Sequence, residues 1–480
     1  MSGSAPFVRA TALALVLALA AGMPSAGTLA ADVERPKATS PAGADQPAKP
    51  AQPASASNLD LCGSAALTAD QRIDACTKAL QSNALSAANK ASAYNNIGVA
   101  WKSKADLNQA IANYERAIAA DPNMINAYIN RGAALGAKGE MDAALRDFDQ
   151  ALKLDPQSAL ARENRALARQ GRGDVDGAIE DLDEAIHQDP QNASNFVNRA
   201  GAWQAKGDTA KAIADLDQAV HLQPQREDLL MFRGAMFDRQ GDYTRSIADY
   251  DEAIRLNSNF APAYSNRCNT WMLKEAYDQA VADCTQALKL DPNLPQAHFN
   301  RGVLWVVAED FAKAKLEFDE AIRLAPQLAP AYKSRAALDF DRGQYEEAQA
   351  DLERASKLLR SDPYVAIWRY LAQARGGHAE AAAKDLAQFA SAASHEWPAP
   401  VIDLYLGRAD AGAVFSAAQQ GDARVQTDHQ CEASFYVGEW HLLHGEKARA
   451  LRMFEDARRS CRRSFSESGG ALAEIDRLGR

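Results

Sequence analysis

Residues 91–124 read ASAYNNIGVAWKSKADLNQAIANYERAIAADPNM, and this arrangement of aromatic and small residues returns every 34 positions along the chain. Tyr94 and Gly98 would lie on one face of a first helix, and Ala110 and Tyr114 on the facing side of a second helix. Small residues let two helices approach closely, and aromatic rings fill the remaining space. The stretch therefore predicts an antiparallel pair of packed helices that repeats along the chain.

Proline closes most of the repeats. It recurs at Pro122, Pro156, Pro190, Pro224, Pro292 and Pro326, with Asn257-Ser258 in the one place where it is missing. A proline at this point stops the second helix and turns the chain toward the next pair. The whole pattern matches the W-x2-L-G-x2-Y…A-x3-F…P signature and so resembles the tetratricopeptide (TPR) repeat. The resemblance implies a stack of helical hairpins in which each hairpin packs on its neighbours.

The period also sets the expected boundaries. A tenth block at 431–464 keeps the spacing, the ninth block carries Tyr370 where a small residue is expected, and Arg72–Leu80 repeats the pattern of Ala280–Leu288. We predict an all-α fold, a right-handed TPR superhelical solenoid of about ten helical hairpins with an N-terminal half-repeat and a C-terminal capping helix. The predicted divisions are a half-repeat cap at 59–90, nine repeats at 91–396, and a C-terminal TPR-like module at 397–480 whose capping helix is 465–478.

The N-terminal 58 residues have a different composition. Arg9 is the only charge in residues 1–30, an apolar run from Ala10 to Ala21 follows it, and Ala30 ends a plausible cleavage motif, as in a secretory signal peptide. A buried helix or a mistaken start site is the alternative. No cysteine precedes Cys62, so a lipid anchor is not expected. Residues 31–58 are rich in Pro and Ala and predict a disordered linker. The sequence thus predicts a periplasmic protein that is not a lipoprotein.

Composition narrows the classes of function. The formal net charge is −10, which argues against nucleic acid as a partner, because phosphates require clustered Lys and Arg. No P-loop, Rossmann glycine pattern, G-x-S-x-G or H-E-x-x-H motif is present. We therefore expect no enzyme activity, no cofactor and no membrane span, and leave the oligomeric state open.

Asparagine recurs two residues before the small residue of the first helix. The positions are Asn96, Asn130, Asn164, Asn198, Asn266 and Asn300, and the series is interrupted by Phe232, Ser334 and Trp368. A row of amides offers donors and acceptors that match a peptide backbone, and it resembles the asparagine ladder in the TPR arm of O-GlcNAc transferase. We predict a groove that binds an extended peptide, in which Phe232 divides the row or anchors an apolar side chain. The alternative is that each amide bonds within its own hairpin.

A second series pairs arginine with an acid 16 residues later. The eight pairs are Arg131–Asp147, Arg165–Asp181, Arg199–Asp215, Arg233–Asp249, Arg267–Asp283, Arg301–Glu317, Arg335–Asp351 and Arg369–Asp385. The first block has Ile97 and Asn113 instead, so the two charges appear together or not at all. This pairing favours structural ion pairs over an anion-binding stripe.

Six cysteines in an exported chain favour three disulfides. The repeat register predicts Cys62–Cys76, Cys268–Cys284 and Cys431–Cys461, with free buried thiols as the alternative. A metal site at His429, Cys431, His441 and His444 is a further alternative, which the pairing of Cys431 with Cys461 disfavours.

The C-terminal part carries a narrower resemblance. Leu404–Gly407, Phe435–Trp440 and Phe454, followed by a last helix, resemble the NlpI lipoprotein family of periplasmic TPR adaptors. The resemblance implies binding of envelope hydrolases or proteases. We therefore expect an exported scaffold that binds proteins or extended peptides. The alternative is a periplasmic holdase-type chaperone or assembly factor, which would need an apolar groove.

Overall fold

The computed structural model describes residues 58–64, 66–81, 85–390, 396–463 and 465–479. The predicted signal peptide at 1–30 and nearly all of the predicted linker lie outside the described residues. Within the described ranges the regular structure is entirely helical, so the predicted all-α fold of TPR-type hairpins is confirmed. No helix of the described ranges combines the length and apolar character needed to cross a membrane.

Two helices precede the first complete hairpin, and hairpins one to nine follow as consecutive helix pairs. The first two are α1 (Asn58–Cys62) and α2 (Ala69–Leu80). Hairpins one to four are α3 (Ala87–Ser103) with α4 (Leu107–Ala120), α5 (Ile125–Ala137) with α6 (Met141–Leu154), α7 (Ala159–Gly171) with α8 (Val175–Gln188), and α9 (Ala193–Lys206) with α10 (Thr209–Leu222). Hairpins five to nine are α11 (Glu227–Gln240) with α12 (Tyr243–Leu256), α13 (Ala261–Leu273) with α14 (Tyr277–Leu290), α15 (Pro295–Val307) with α16 (Phe311–Leu324), α17 (Ala329–Asp341) with α18 (Tyr345–Leu358), and α19 (Pro363–Arg375) with α20 (Ala379–Ala390).

The C-terminal module has five more helices in the described ranges. They are α21 (Ala399–Tyr405), α22 (Ala411–Ala417), α23 (Ala423–Leu443), α24 (Lys447–Ser460) and α25 (Ser466–Leu478). Helices α23 and α24 form an antiparallel pair, and α25 packs on both of them. The described residues divide into two compact units, 58–229 and 230–480. The sequence period gives no sign of this division, which falls inside α11.

The core of each hairpin is built as the repeat predicts. A Cβ atom on Gly98 would lie 2.4 Å from the ring of Tyr114, and one on Gly132 would lie 2.7 Å from the ring of Phe148. Only glycine therefore allows the two helices of these hairpins to pack at this distance. Both rings are buried, and they close the space between the helices.

The turn inside each hairpin needs one residue with a left-handed backbone. Glycine supplies it in most hairpins, for example Gly139 at φ 83°. Ala105, Glu275 and Glu309 occupy the same place with φ of 60°, 60° and 59°. A side chain in this region costs about 1 kcal/mol relative to glycine, so the two glutamates are retained at some cost in stability.

Candidate functional site

First helices of neighbouring hairpins contact one another along much of the chain. In the unit 58–229 these contacts join α3 to α5, α5 to α7 and α7 to α9, and in the unit 230–480 they join α13 to α15 and α17 to α19. The side chains between neighbouring first helices therefore form a continuous surface from α3 to α9 and shorter surfaces at α13–α15 and α17–α19. We call these surfaces together the first-helix face, and the asparagine series lies on it.

Three of the six asparagine amides bond across this face rather than within their own hairpin. Asn130 donates from Nδ2 to Oδ1 of Asn95 at 2.9 Å, and Asn198 donates from Nδ2 to Oε1 of Glu163 at 2.9 Å. Asn96 donates from Nδ2 to the backbone oxygen of Cys62 at 3.3 Å. Each bond ties a first helix to the hairpin before it. The alternative of bonding within one hairpin holds for Asn164, whose Nδ2 donates to the backbone oxygen of Leu160 at 2.8 Å.

Polar atoms of these amides remain available. Among the described residues no hydrogen bond is accepted by Oδ1 of Asn96, Asn130, Asn164 or Asn198. None of these oxygens is among the buried atoms that lack a hydrogen-bond partner. The side chain of Asn266 is half-buried, and its amide has no bond to any described residue. The face therefore presents a row of acceptors, each with one N–H to spare.

Two of the predicted groove residues offer nothing to a ligand. Asn300 is fully buried, and its Oδ1 accepts from Nε2 of Gln296 at 2.9 Å. Phe232 is only 3% exposed. The burial of these two side chains counts against their predicted place in a ligand-contacting row.

The C-terminal module covers the first-helix face of hairpins eight and nine. Helix α25 packs on α17, and α21 and α23 pack on α19. Trp368, which stands at the asparagine position of α19, stacks on Phe435 of α23 at 5.5 Å between ring centroids. A Cβ on Gly470 of α25 would lie 2.7 Å from the ring of Phe435, so glycine permits this close packing. Ser334 and Trp368, which interrupt the asparagine series, thus lie on the two first helices that the C-terminal module covers.

Buried carboxylates hold this module in place. Glu432 accepts hydrogen bonds from the Tyr364 hydroxyl at 2.9 Å and from Nε1 of Trp397 at 2.7 Å. Burial, together with the nearby Glu467, raises the pKa of Glu432 to about 8. The Tyr436 hydroxyl donates to Oε1 of Glu467 at 2.6 Å. Hydroxyl and indole donors therefore replace cations as the partners of these two acids.

Arg375 connects the ninth hairpin to two more of the buried acids. Its guanidinium lies 2.8 Å from Glu439 and 3.1 Å from Glu474, which are 0% and 1% exposed. Burial raises the pKa of Glu439, against the opposing effect of Arg375. Arg477 donates to the backbone oxygen of Asp341 at 2.8 Å. The sequence analysis did not predict this network. The one feature of the sequence that could have indicated it is the replacement of asparagine by Ser334 and Trp368.

The predicted arginine–acid pairs are in contact throughout the series. Arg199 is representative, with Nε 2.9 Å and Nη2 2.6 Å from the two oxygens of Asp215. Arg335 has the same two-bond contact with Asp351, at 2.7 Å for each bond. These bonds raise the pKa of Arg335 above its ordinary value, so it stays charged. The same contact is made by Arg131–Asp147, Arg165–Asp181, Arg233–Asp249 and Arg267–Asp283, while Arg301–Glu317 and Arg369–Asp385 pair through fewer acceptor atoms.

Several of these arginines also reach the preceding hairpin. Arg199 lies 2.7 Å from Asp183, and Arg335 lies 2.6 Å from Asp319. One guanidinium thus joins a first helix to the second helices on both sides of it. Where Ile97 and Asn113 replace the pair, a cavity of about 370 Å³ remains, with Tyr94 and Trp101 among its walls.

The six cysteines form three bonded pairs. The S–S distances are 2.06 Å for Cys62–Cys76, 2.04 Å for Cys268–Cys284 and 2.08 Å for Cys431–Cys461. The ring of His429 stacks on Trp397 at 4.6 Å, and His441 bonds to Glu446 at 2.6 Å. Among the described residues no three His, Cys, Asp or Glu side chains are grouped as metal ligands would be.

The fold and the repeat define a class, the helical-hairpin repeat proteins. Family models identify the kind of repeat. Two models described as the tetratricopeptide repeat match residues 125–158 and 261–294, and residues 203–259. A third, described as the TPR repeat, matches residues 102–139. The matched segments, 102–158, 203–259 and 261–294, are tetratricopeptide repeats.

Solved structures with similar hairpins share low sequence identity with the chain. A tetratricopeptide repeat protein from Parabacteroides merdae is 18% identical, covers 49% of this chain and 93% of its own, and gives a TM-score of 0.43. YrrB, described as a TPR protein with an unusual peptide-binding site, is 20% identical over 38% of this chain and 95% of its own, with a TM-score of 0.33. MamA is 21% identical to this chain, covers 34% of this chain and 96% of its own, and gives a TM-score of 0.32.

Proposed function

We propose that this protein is an exported scaffold whose first-helix face binds polypeptide partners, and that it brings cell-envelope proteins together. One observation carries the proposal. In hairpins eight and nine this face already holds polypeptide, the chain's own helices α23 and α25. In hairpins one to four the same surface carries asparagine amides that have unused acceptors.

The chemistry of the face suits an extended or irregular partner. Each amide oxygen accepts one backbone N–H, and each such bond contributes only about 0.5–1.5 kcal/mol net. Binding must therefore use several hairpins at once. Such a surface recognises backbone more than side chains, as expected of a scaffold that accepts protein tails.

The same observations favour a scaffold over a holdase chaperone. A holdase needs exposed apolar surface, because unfolded chains present apolar side chains. Among the described residues the exposed large apolar side chains are few and scattered: Leu160, Val281 and Leu316. The face carries amides instead of an apolar groove.

The cysteines support an exported location for the protein. All six are paired, and disulfides persist in oxidising compartments such as the bacterial periplasm. The resemblance of the C-terminal part to the NlpI family supports a role among envelope hydrolases or proteases.

Quantitative capture of partners tests the proposal. Proteins that the immobilised mature chain retains from periplasmic extract would be identified and quantified against a variant with Asn130, Asn164 and Asn198 replaced by alanine. The matched control replaces three exposed second-helix residues of the same hairpins, Lys153, Glu184 and Gln218. We expect the amide variant to lose most partners while its circular dichroism stays near that of the control, with a lower melting temperature because the bonds of Asn130 and Asn198 to the preceding hairpins are lost. Retention of the same proteins in the same amounts by both variants would refute binding at this face.

A further inference from the structure

The ninth hairpin contains a cavity of about 230 Å³ between α18, α19 and α20. Ala366 lines it, at a repeat position where the other hairpins carry a larger side chain. Those side chains are Tyr94, Tyr128, Arg162, Phe196, Leu230, Tyr264, His298 and Tyr332. The cavity is several times larger than the volume of a water molecule in the liquid, about 30 Å³. It therefore has room for a whole side chain.

Three polar atoms of residues that line this cavity are buried and have no hydrogen-bond partner among the described residues: Oδ2 of Asp362, Nε of Arg369 and Oε1 of Gln373. Gln373 is 6% exposed, and its Nε2 donates to Oδ2 of Asp385 at 3.3 Å. Because a carboxylate only accepts, this bond fixes the amide, and Oε1 is left without a donor. Arg369 also contacts Asp385, but its Nε has no acceptor. In the equivalent pair of hairpin eight, Nε of Arg335 donates to Asp351.

The rest of the cavity wall has a charged part, formed by Arg360 and Asp362, and an apolar part, formed by Leu359, Val365, Leu386 and Phe389. The residues that line the cavity thus provide apolar surface together with two unused acceptors and one unused donor. An unsatisfied buried polar group is unfavourable, so a ligand that bonds to Nε of Arg369 and Oε1 of Gln373 gains from each bond.

We propose that this cavity is an anchor site for one apolar side chain of a bound peptide. The side chain, aliphatic and branched or aromatic, enters the chamber. The adjoining peptide group supplies two of the missing partners: its carbonyl accepts from Nε of Arg369 and its N–H donates to Oε1 of Gln373. The proposal rests on the proposed polypeptide-binding function for the class of ligand, but it concerns a different surface from the amide row.

Methyl NMR of the full mature chain tests the site directly. The protein would carry labelled Leu and Val methyl groups, and the probes would be N-acetylated, C-amidated tripeptides Ala-X-Ala with X as Ala, Leu or Phe. We expect the Val365 and Leu386 methyl signals to shift and saturate with the Leu and Phe peptides, and the Ala peptide to bind at least about tenfold more weakly. Equal shifts with all three peptides, or none, would overturn the anchor site.

Two variants and one control separate binding from folding. Gln373→Leu removes the acceptor at nearly constant size, and Ala366→Leu fills the chamber. Each should weaken binding of the Leu peptide by about tenfold or more, because the peptide N–H is left unpaired or the side chain is excluded. Gln327→Leu, at an exposed residue outside the cavity, should leave binding unchanged. If Ala366→Leu does not fold, Gln373→Leu decides the matter, and unchanged affinity with an unchanged melting temperature contradicts the proposal.

The two proposals fail in different experiments. If the tripeptides do not bind while the amide variant still loses its partners, the anchor site is wrong and the scaffold function stands. If the tripeptides bind at the cavity while partner capture is insensitive to the amides, the first-helix face is wrong and the anchor site stands.

Discussion

Hairpins one to four and hairpins eight and nine use the same face of the first helix in opposite ways. In the former, Asn96, Asn130 and Asn198 tie a first helix to the preceding helices, and their carbonyl oxygens accept no hydrogen bond from the described residues. In the latter, Trp368 takes the asparagine position and is covered by Phe435. The difference shows that the residue at one repeat position follows what packs against it. Where the chain supplies its own partner helix, the position becomes apolar.

The electrostatics of the two regions differ in the same sense. In the repeats each acid lies beside an arginine that is about one-fifth exposed, as in Arg199–Asp215. In the C-terminal module Glu432, Glu439 and Glu474 are at most 1% exposed, and Glu432 is held by a hydroxyl and an indole. Burial makes an unpaired charge costly. Changes at the module should therefore have larger effects than changes in the repeats.

The largest effect is expected from Arg375→Met. This change leaves the buried Glu439 without its cation, while Glu474 keeps Arg477, and should lower the free energy of unfolding of this region by about 3–5 kcal/mol. Hydrogen exchange in α23 and α25 would measure the loss. Adding Glu439→Gln should restore most of it, because the uncompensated charge is then removed. A loss below about 1 kcal/mol would mean that the module does not depend on this contact.

A smaller effect is expected within the repeats. Arg199→Ala leaves the buried Asp215 without its two bonds and should cost about 2–3 kcal/mol in the unit 58–229. A double-mutant cycle with Asp215→Asn, followed by urea unfolding, would measure the coupling. Arg116→Ala, at an exposed arginine without an ion pair among the described residues, is the control and should change stability by less than about 0.5 kcal/mol. Absence of coupling would contradict a structural role for the series.

The pH dependence of stability should distinguish the two regions further. The pKa of Glu432 is about 8 in the folded chain and near its ordinary value when unfolded, so the folded state binds the extra proton between these values. This contribution is present at acidic pH and is lost as the pH rises toward 8, at a slope of about 1 kcal/mol per pH unit. Melting temperatures of the wild type and Glu432→Gln between pH 5 and 8 would isolate it, with a flatter profile in the variant. Parallel profiles would rule out titration of Glu432 in this range.

The smallest effect is expected from Asn266→Ala. The amide makes no bond to any described residue, so stability should change by less than about 0.5 kcal/mol. Binding of a captured partner should weaken by about 0.5–1.5 kcal/mol, the worth of one hydrogen bond. Isothermal titration would compare it with Asn164→Ala, whose amide bonds within its own helix. A drop in melting temperature without any change in affinity would assign Asn266 to packing alone.

Local repetition explains how much of the fold could be predicted from the sequence. Gly98 and Tyr114 meet because a helix places residues at fixed angles and the period returns them to equivalent positions. The same register pairs Arg199 with Asp215 and Cys268 with Cys284, since their spacing is the same 16 residues. Within a hairpin, the number of residues between two side chains therefore largely determines whether they are in contact.

Only the tertiary structure decided the contacts that do not repeat. Tyr364 and Glu432 are 68 residues apart, and no period connects them. Whether Asn300 is buried and Asn266 accessible depends on the neighbouring helices, although both occupy the same repeat position. The sequence by itself thus determined the hairpins, their order and the bonds inside them, because these follow from helical geometry. The covering of the face at hairpins eight and nine, the buried acids and the cavity at Ala366 required the packing of distant segments, because their cost or benefit depends on what surrounds each side chain.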